Sequence, residues 1–255
     1  MEDLTGRTIL LTGASKGIGA ATARALGRAG AHVIAHYGTD RAGAEAATAE
    51  IAAERKLLLQ TDLADLDAVE RLWTEALAWR GRIDTLVNNA AIMLWNSSVD
   101  HPLDEWDDTW ARSIQVNVLA PGRLMRQAVR HFRESGGGSI VAISSWAAQR
   151  GVGTPNTLAY GATKAAMRAA TQSIARNYAR EGVLAYVIAP GVVRTQLSED
   201  FAKSQGGVEK VNESLALGDW VEPDEIAELV VFLATGRARN LTGGTIDING
   251  ASYIR

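Results

Sequence analysis

Residues 8–19 read Thr-Ile-Leu-Leu-Thr-Gly-Ala-Ser-Lys-Gly-Ile-Gly, and this stretch predicts the architecture of the chain. A short aliphatic run leads into a glycine-rich turn, which is followed by an Ala-rich segment at residues 18–29 with helical spacing. A strand, a turn and a helix in this order form the first half of a βαβ unit. The amides and the dipole at the start of such a helix can bind a phosphate group. The stretch therefore predicts a parallel sheet with an anion site at its first turn.

The same alternation continues along the rest of the chain. Apolar runs predict further strands at residues 32–36, 57–59, 83–87, 139–143, 183–188 and 245–248. Helical patterns lie between them at residues 41–54, 65–79, 105–134, 158–180 and 224–233. Pro121 with Gly122 can kink or divide the longest of these helices. Because uniformly apolar strands suit a sheet covered on both faces, we expect an α/β fold, a doubly wound sheet of about seven parallel strands with helices on both faces. No repeat or long linker interrupts the pattern, so a single domain over residues 1–255 is expected.

Composition narrows the classes of function. With 47% hydrophobic and 22% charged residues, the chain is typical of a globular protein. It contains no cysteine, which excludes cysteine nucleophiles and thiolate metal sites, and we expect no metal. A net charge of -3 without a basic stripe argues against nucleic-acid binding. The start Met-Glu-Asp-Leu-Thr-Gly-Arg matches neither a signal peptide nor a membrane anchor, so we expect a cytoplasmic protein without membrane contact.

The glycine turn permits two other interpretations. Its spacing, Gly13-x-x-x-Gly17-x-Gly19, departs from the common dinucleotide pattern G-x-G-x-x-G. Gly13-x-Ser15-x-Gly17 also matches the nucleophile elbow of a hydrolase. That elbow needs an upstream strand and a downstream histidine, but only 12 residues precede the turn and no histidine lies beyond residue 131. The hydrolase alternative is disfavoured, and a purely structural turn is the second alternative.

A tyrosine and a lysine supply a candidate acid/base pair. Tyr160 and Lys164 are spaced i, i+4 at the start of a predicted helix, which places both side chains on one face. A neighbouring cation stabilises a phenolate, so the sequence predicts a lowered pKa for Tyr160, suited to general acid/base catalysis. Ser145 follows the predicted strand at residues 139–143, at the sheet edge where ligands of such folds bind. On spacing alone, a surface tyrosine and lysine would be the favoured interpretation.

Six motifs occur in one order along the chain. They are the glycine turn, Asn88-Asn89-Ala90-Ala91, Asn117, Ser145, Tyr160-x-x-x-Lys164 and Pro190-Gly191-Val-Val-Arg-Thr195. Together they resemble the short-chain dehydrogenase/reductase family over essentially the whole chain, including the ending at residues 241–250. The resemblance implies a Rossmann-type NAD(P)-binding catalytic domain and an oxidoreductase that transfers hydride between a nicotinamide cofactor and a ketone or secondary alcohol. Two departures are Ala91, where relatives commonly have glycine, and a Ser145 to Tyr160 interval about two residues longer than usual.

The resemblance also implies a role for each catalytic residue. Tyr160 exchanges the proton on the substrate oxygen, and Ser145 donates a hydrogen bond to that oxygen. Lys164 lowers the pKa of Tyr160 and binds the nicotinamide ribose. Asn117 anchors a water that links Lys164 to solvent. Ser144 is the alternative to Ser145, although the second serine occupies the family's usual place.

The cofactor site implied by the resemblance spans the carboxyl edge of the sheet. Its residues are Gly13, Ser15, Lys16, Gly17, Ile18, Gly19, Tyr37, Asp62, Leu63, Asn89, Ala90, Ala91, Tyr160, Lys164, Pro190, Gly191, Val193 and Thr195. The predicted second strand ends in Ala35-His36-Tyr37-Gly38 and lacks the acid that usually binds the adenosine 2'-hydroxyl of NAD. Lys16 and Arg41 could pair with a 2'-phosphate, so NADP(H) is favoured and NAD(H) is possible. Asp40 could reach the same region, and Asp62 could instead be a helix N-cap.

Substrate residues and partners follow less directly. Trp95 and Trp146 come after predicted strands and are expected to line the substrate side, with a core position as the alternative for Trp95. The irregular stretch at residues 191–219 is expected to be a substrate-covering lid, with an ordinary surface loop as the alternative. We expect a small carbonyl or alcohol substrate, no nucleic acid, and a homo-oligomer, because relatives are usually tetramers. A 3-oxoacyl-thioester reductase and a non-catalytic dinucleotide-binding regulator are the alternative functions.

Overall fold

A computed structural model describes residues 2–254 and places seven strands in one sheet. The strands are β1 (Thr8–Leu11), β2 (His32–Tyr37), β3 (Lys56–Gln60), β4 (Thr85–Asn88), β5 (Gly138–Ile143), β6 (Val183–Pro190) and β7 (Thr245–Ile248). Their order is β3-β2-β1-β4-β5-β6-β7, and every neighbouring pair is parallel. The order reverses between β1 and β4, which is the point where open α/β sheets bind ligands.

Ten α-helices connect or flank these strands in the described part of the chain. They are α1 (Gly17–Arg28), α2 (Arg41–Ala47), α3 (Leu66–Arg80), α4 (Leu103–Ile114), α5 (Ala120–Glu134), α6 (Ala147–Arg150), α7 (Leu158–Tyr178), α8 (Gln196–Ser204), α9 (Val208–Glu213) and α10 (Pro223–Ala234). Local sequence sets their ends: the carboxylate of Asp65 caps α3 by accepting from two amides, and Gly81 ends it with a left-handed φ of 71°.

The strands bury side chains on both faces of the sheet. In β1, Ile9 and Leu11 pack against α1 and α10, whereas Leu10 between them packs against α3, α5 and α7. This alternation follows from the two-residue period of a strand. Both faces are apolar because helices cover both, as the doubly wound prediction required.

Two predicted helices and one predicted irregular segment differ from the observed structure. Residues 41–54 were expected to be one helix, but α2 ends at Ala47 and a short 3-10 turn follows at Ala53–Arg55. The long helix at residues 105–134 is divided by a π-helical turn, Gln115–Leu119. Pro121 lies just beyond this turn and has no N–H to bond one turn back, which interrupts the regular ladder. The segment at residues 191–219, expected to be irregular, contains α8 and α9.

Within residues 2–254, no helix has the length and the apolar character needed to cross a membrane.

Candidate active site

The glycine turn between β1 and α1 folds tightly against its neighbours. Gly13 and Gly17 have φ angles of 71° and 54°, which favour glycine. A Cβ at Gly19 would lie 1.8 Å from the carbonyl oxygen of Gly13, so a side chain does not fit there. The amide of Asn89, just after β4, donates to the carbonyls of Thr12 and Gly13 at 2.9 and 3.0 Å. The turn is therefore fixed from both the helix side and the sheet side.

A buried histidine that the sequence analysis did not assign also supports the turn. Nδ1 of His36 on β2 accepts from the amide of Gly13 at 3.1 Å. Because Nδ1 accepts, we assign the proton to Nε2, which donates to the carbonyl of Thr61 at 3.0 Å. Burial lowers the pKa of His36 and keeps the ring neutral. A histidine within an apolar strand carries no sequence signal for this contact.

The start of α1 fits the diphosphate of a dinucleotide. Its N-cap residue is Lys16, whose side chain makes no capping hydrogen bond to the first helical turn. The first amides of a helix need an acceptor, and a phosphate provides one where the backbone lacks side chains that would block its approach. Gly17 and Gly19 carry no side chain at this first turn.

The residues near the end of β2 are arranged around Asp40. Its carboxylate caps α2 by accepting from the amide of Gly43 at 2.8 Å, and its carbonyl accepts from the Ser15 hydroxyl at 2.6 Å. Asp40 is thereby engaged in capping, which weakens its role as a ribose ligand. Arg41 is exposed, lies beside Tyr37 and pairs with Glu45 at 2.8 Å.

Asp62 and Leu63 follow β3 at the same edge. The carboxylate of Asp62 accepts from the amide of Ala64 at 2.9 Å, and the side chain is exposed, whereas Leu63 is buried. The N-cap of α3 is Asp65, so the alternative assignment of Asp62 as that cap is wrong.

The candidate catalytic residues meet between β5 and α7. Tyr160 and Lys164 lie on the first turns of α7, and Tyr160 lies beside Ser145, which follows β5, at the wall of one cavity. The Ser145 hydroxyl also accepts from the amide of Ala147 at 3.1 Å. The Ser144 hydroxyl instead donates to the carbonyl of Lys164 at 3.0 Å and ties β5 to α7. Of the two serines, Ser145 is therefore the one that contacts Tyr160.

Burial controls the ionisation of both α7 residues. The ammonium of Lys164 is buried, donates to the carbonyl of Ile143 at 2.8 Å and lies 5.6 Å from the centroid of the Tyr160 ring. Desolvation lowers the pKa of Lys164 to about 8. Desolvation also raises the pKa of Tyr160 to about 12, and the neighbouring Ser145 hydroxyl only partly opposes this rise. The prediction of a lowered Tyr160 pKa is thus wrong for the protein without its cofactor. Burial has the larger effect on this pKa, because the Lys164 ammonium donates to the Ile143 carbonyl and not to the phenol.

Asn117 lies in the π-helical turn and joins three elements. Its amide exchanges two hydrogen bonds with the backbone of Ile92, at 2.9 and 2.8 Å. It also donates to the hydroxyl of Thr163, the neighbour of Lys164, at 3.1 Å. Asn117 therefore positions the start of α7 relative to the segment after β4, while its role with a water stays a prediction.

A cavity of about 340 Å³ opens beside Ser145 and Tyr160. Its apolar wall includes Met93, Trp146, Val192, Leu197, Phe201 and Val211. Trp146 is fixed through its amide, which donates to the carbonyl of Pro190 at 2.9 Å. Since Leu197 and Phe201 belong to α8 and Val211 to α9, both helices border the cavity.

Trp95, which was expected beside Trp146, lies elsewhere. It lines a separate groove with Leu94 and Asp108 next to α4. Met93, two residues earlier in the chain, is the residue of this segment that faces the catalytic cavity. The expectation for Trp95 is therefore corrected: the segment after β4 turns away before it reaches this residue.

The remaining residues of the implied cofactor site lie after β4 and β6. Ala90 and Ala91 are partly exposed beside the glycine turn, and a Cβ at Gly13 would lie 3.0 Å from Cα of Ala90. A Cβ at Gly17 would lie 2.9 Å from the Thr195 side chain, which places the start of α8 against the turn. Val193 is buried in the core.

A Cβ at Gly191 would lie 2.9 Å from that of Asn249, so the chain after β6 passes close to the end of β7.

The sheet order, the glycine turn and the polar cluster at its carboxyl edge define a dinucleotide-binding α/β protein. The chain matches the sequence model of the family described as enoyl-(acyl carrier protein) reductase over residues 13–251. It is 34% identical to an L-rhamnose 1-dehydrogenase (NAD(P)(+)) of Azotobacter vinelandii, covering 98% of each chain. It is 33% identical to a cis-4-hydroxycyclohexanecarboxylate dehydrogenase of Sinomonas cyclohexanicum, covering 98% of this chain and 97% of the relative.

A solved structure gives the same result. The 3-ketoacyl-(acyl-carrier-protein) reductase of Brucella melitensis, complexed with NADH, superposes with a TM-score of 0.85 at 29% identity, covering 99% of this chain and 100% of that chain. The chain belongs to the short-chain dehydrogenase/reductase family. It is an oxidoreductase that acts on a CH–OH or C=O group with NAD(P).

Proposed function

We propose that the protein interconverts a ketone and a secondary alcohol with Tyr160 as the general acid/base and NADP(H) as the preferred cofactor. The observation that carries the proposal is the contact of Tyr160 with Ser145 at the wall of a 340 Å³ cavity, with Lys164 one helical turn away. In this arrangement one hydroxyl binds the substrate oxygen and the other exchanges its proton.

The protein's own groups favour proton donation. A nicotinamide held at this edge of the sheet would supply the hydride for the carbonyl carbon, and the oxygen of the opened C=O bond would then need a proton. Tyr160, whose pKa is raised to about 12, keeps its proton at neutral pH and delivers it to the developing alkoxide. Ser145 donates a hydrogen bond to the same oxygen. Lys164 and Asn117 position Tyr160 through α7, and Lys164 also binds the nicotinamide ribose.

The preference for NADP(H) is supported by charge at the end of β2. Tyr37 occupies the place of a ribose-binding acid, and the nearby Asp40 carboxylate is engaged by the amide of Gly43. Lys16 is the N-cap residue of α1 and Arg41 is the first residue of α2, and both carry a positive charge. The L-rhamnose 1-dehydrogenase is named for NAD(P)(+) and the Brucella melitensis structure is complexed with NADH, so NAD(H) is the alternative.

The relatives suggest cyclic alcohols and 3-oxoacyl compounds as substrates to test first. The apolar cavity wall suits a substrate with a hydrocarbon body. We further propose that residues 191–219 form a lid over this substrate within a single catalytic domain, since α8 and α9 line the cavity and α8 starts against the glycine turn. A 3-oxoacyl-thioester reductase and a non-catalytic dinucleotide-binding regulator are the alternative functions.

We also propose a homotetramer in the cytoplasm. Exposed apolar side chains on and next to α4, Leu103, Ile114 and Leu119, support association between copies. An NAD(P)-dependent enzyme must share a compartment with its cofactor, which supports the location. Light scattering coupled to size exclusion tests the tetramer.

One experiment tests the activity. Consumption of NADPH and, separately, of NADH is followed with cyclic ketones, aldehydes and 3-oxoacyl thioesters. Turnover with NADPH on at least one ketone is expected. Tight NADPH binding without turnover on any compound would contradict the enzyme proposal and favour the regulator.

A further inference from the structure

The cavity beside Tyr160 is positively charged in an acidic protein. Within the described chain, Arg150 and Lys210 are the charged residues that line it, and no carboxylate does. The whole protein carries a formal net charge of -3, so this pair of cations stands against the overall balance. A concave, partly apolar site concentrates the field of such charges and attracts an anion.

Arg150 is held in place by Trp146, the N-cap residue of the same short helix. Its guanidinium carbon lies 4.6 Å from the centroid of the Trp146 ring, and its amide donates to the carbonyl of Trp146 at 3.1 Å. Trp146 is itself bonded to Pro190 at the end of β6. A guanidinium stacked on a ring keeps its N–H edge free to bind an oxyanion, at a reduced entropic cost.

Arg194 also lies near a tryptophan ring, but unlike Arg150 it is paired with carboxylates. Its guanidinium lies 5.9 Å from the Trp220 ring, and it forms ion pairs with Asp219 and Glu222. Among residues 2–254, no ion pair involves Arg150. Its charge is therefore available to a ligand.

Lys210 extends from α9 toward the same cavity. Its stem passes the turn between α8 and α9, where a Cβ at Gly206 would lie 3.1 Å from Cδ of Lys210. Lys210 likewise has no ion-pair partner among the residues that the structure describes. The cavity thus has a reacting end at Ser145 and Tyr160, an apolar wall, and two unpaired cations.

We propose that the substrate carries an anionic group, a carboxylate or a phosphate, joined through an apolar body to the reacting carbon. Arg150, supported by Trp146, binds this group together with Lys210. This inference rests on the proposed function, since Tyr160 defines the reacting end. An anionic carbonyl compound is therefore expected to be a better substrate than a neutral sugar or steroid.

Two matched pairs of substrates test the inference. The first is 4-oxocyclohexanecarboxylate against its methyl ester, and the second is acetoacetyl-4'-phosphopantetheine against acetoacetyl-pantetheine. Each pair keeps the ketone and removes the anionic group. We expect kcat/KM to be at least tenfold higher for the anionic member of one pair, and the responding pair distinguishes a carboxylate from a phosphate.

Variants of Arg150 and Lys210 test whether these two cations cause the preference for anionic substrates. Arg150→Gln and Lys210→Gln should each raise KM for the anionic member about tenfold and leave the neutral member within twofold, because a charge-assisted contact is lost. Arg150→Glu should reverse the preference, an effect that a merely structural role would not produce. Arg176→Gln, an exposed position on α7 outside the cavity, makes the same charge change and should leave both members unaffected.

The outcomes separate the two proposals. Turnover of neutral members equal to or better than that of both anionic members overturns the anionic substrate and leaves the reductase intact. An equal loss on charged and neutral members in Arg150→Gln and Lys210→Gln also overturns it. Absence of turnover with every ketone, together with NADPH binding, contradicts the proposed function itself.

Discussion

The ammonium of Lys164 lies 5.6 Å from the centroid of the Tyr160 ring while it donates to the carbonyl of Ile143 at 2.8 Å. The main chain of β5 therefore holds this cation next to the phenol without a direct bond between the two side chains. Burial of the ammonium is costly, and the protein accepts that cost at the site of its chemistry. The position of Lys164 is better explained by catalysis than by stability.

Lys164→Met should separate activity from stability. A pKa lowered from 10.5 to about 8 corresponds to about 3 kcal/mol of unfavourable burial at pH 7, which the variant removes. The variant also loses the hydrogen bond to Ile143, which lowers its stability by roughly 1–3 kcal/mol and offsets most of the stability gained from removing the buried charge. We expect kcat to fall at least about 100-fold while urea unfolding shows unchanged or slightly increased stability.

Lys203→Met is the matched control, because Lys203 is exposed on α8 and pairs with Asp200. It should retain kcat. A Lys164→Met protein with full activity, or one that is several kcal/mol less stable, would refute this account of Lys164.

Two glycine-to-alanine changes should differ in their effects, since one should weaken NADPH binding and the other should stabilise a helix. Gly19→Ala brings a methyl group to 1.8 Å from the Gly13 carbonyl and must displace the phosphate turn. We expect NADPH binding to weaken at least about tenfold, or 1.4 kcal/mol, in fluorescence titrations. Gly122→Ala in α5 meets nothing within 4 Å and should stabilise the helix by up to about 1 kcal/mol. Equal NADPH affinity in both variants would show that the turn is not the phosphate site.

The strands and most helices could be predicted because the pattern of apolar residues within each segment indicates which of its side chains are buried. The apolar runs of β1 to β7 indicate buried strands, and the glycines indicate a tight turn. The helices α8 and α9 could not be predicted in this way. Their apolar residues, such as Ala202 and Val211, form a small cluster with Trp220 that exists only once the segment folds over the cavity.

The active-site residues show the same limit. Spacing placed Tyr160 and Lys164 on one helix face, and the end of a predicted strand placed Ser145 at the same sheet edge. The direction of the Tyr160 pKa shift depends on burial depth, which these patterns do not report. Likewise, Trp95 and Met93 are equivalent in sequence until the path of the loop after β4 selects Met93.

Acidification should destabilise the protein partly through His36. Burial lowers the pKa of this ring, so the unfolded chain binds its proton first. The stabilising contribution is complete above the unfolded pKa of about 6.5 and decreases as the pH falls toward the folded value. His36→Asn should reduce the slope of unfolding free energy between pH 6.5 and 5 by up to about 1.4 kcal/mol per pH unit. The lowered pKa values of His32 and His131 leave a residual slope in the variant, and a slope identical to that of the wild type would rule out this role.

Cofactor preference should respond to charge at the end of β2. The double change Tyr37→Asp with Lys16→Ala adds an acid that repels a 2'-phosphate and removes a cation that attracts it. The ratio of kcat/KM for NADPH to that for NADH should fall at least about tenfold, measured on one ketone. Arg176→Gln, remote from the turn, should leave the ratio unchanged. An unaltered ratio in the double variant would show that these positions do not contact the 2'-phosphate.

The central claim is that the Tyr160 hydroxyl exchanges the proton with the substrate oxygen, and Tyr160→Phe tests it most directly. This variant removes a single oxygen, while Tyr178→Phe removes the same atom at the far end of α7. Steady-state turnover of NADPH with the best ketone is the measurement. We predict a loss of about 10²-fold or more in kcat for Tyr160→Phe with NADPH affinity retained, and none for Tyr178→Phe. A Tyr160→Phe enzyme that turns over at the wild-type rate would contradict the mechanism.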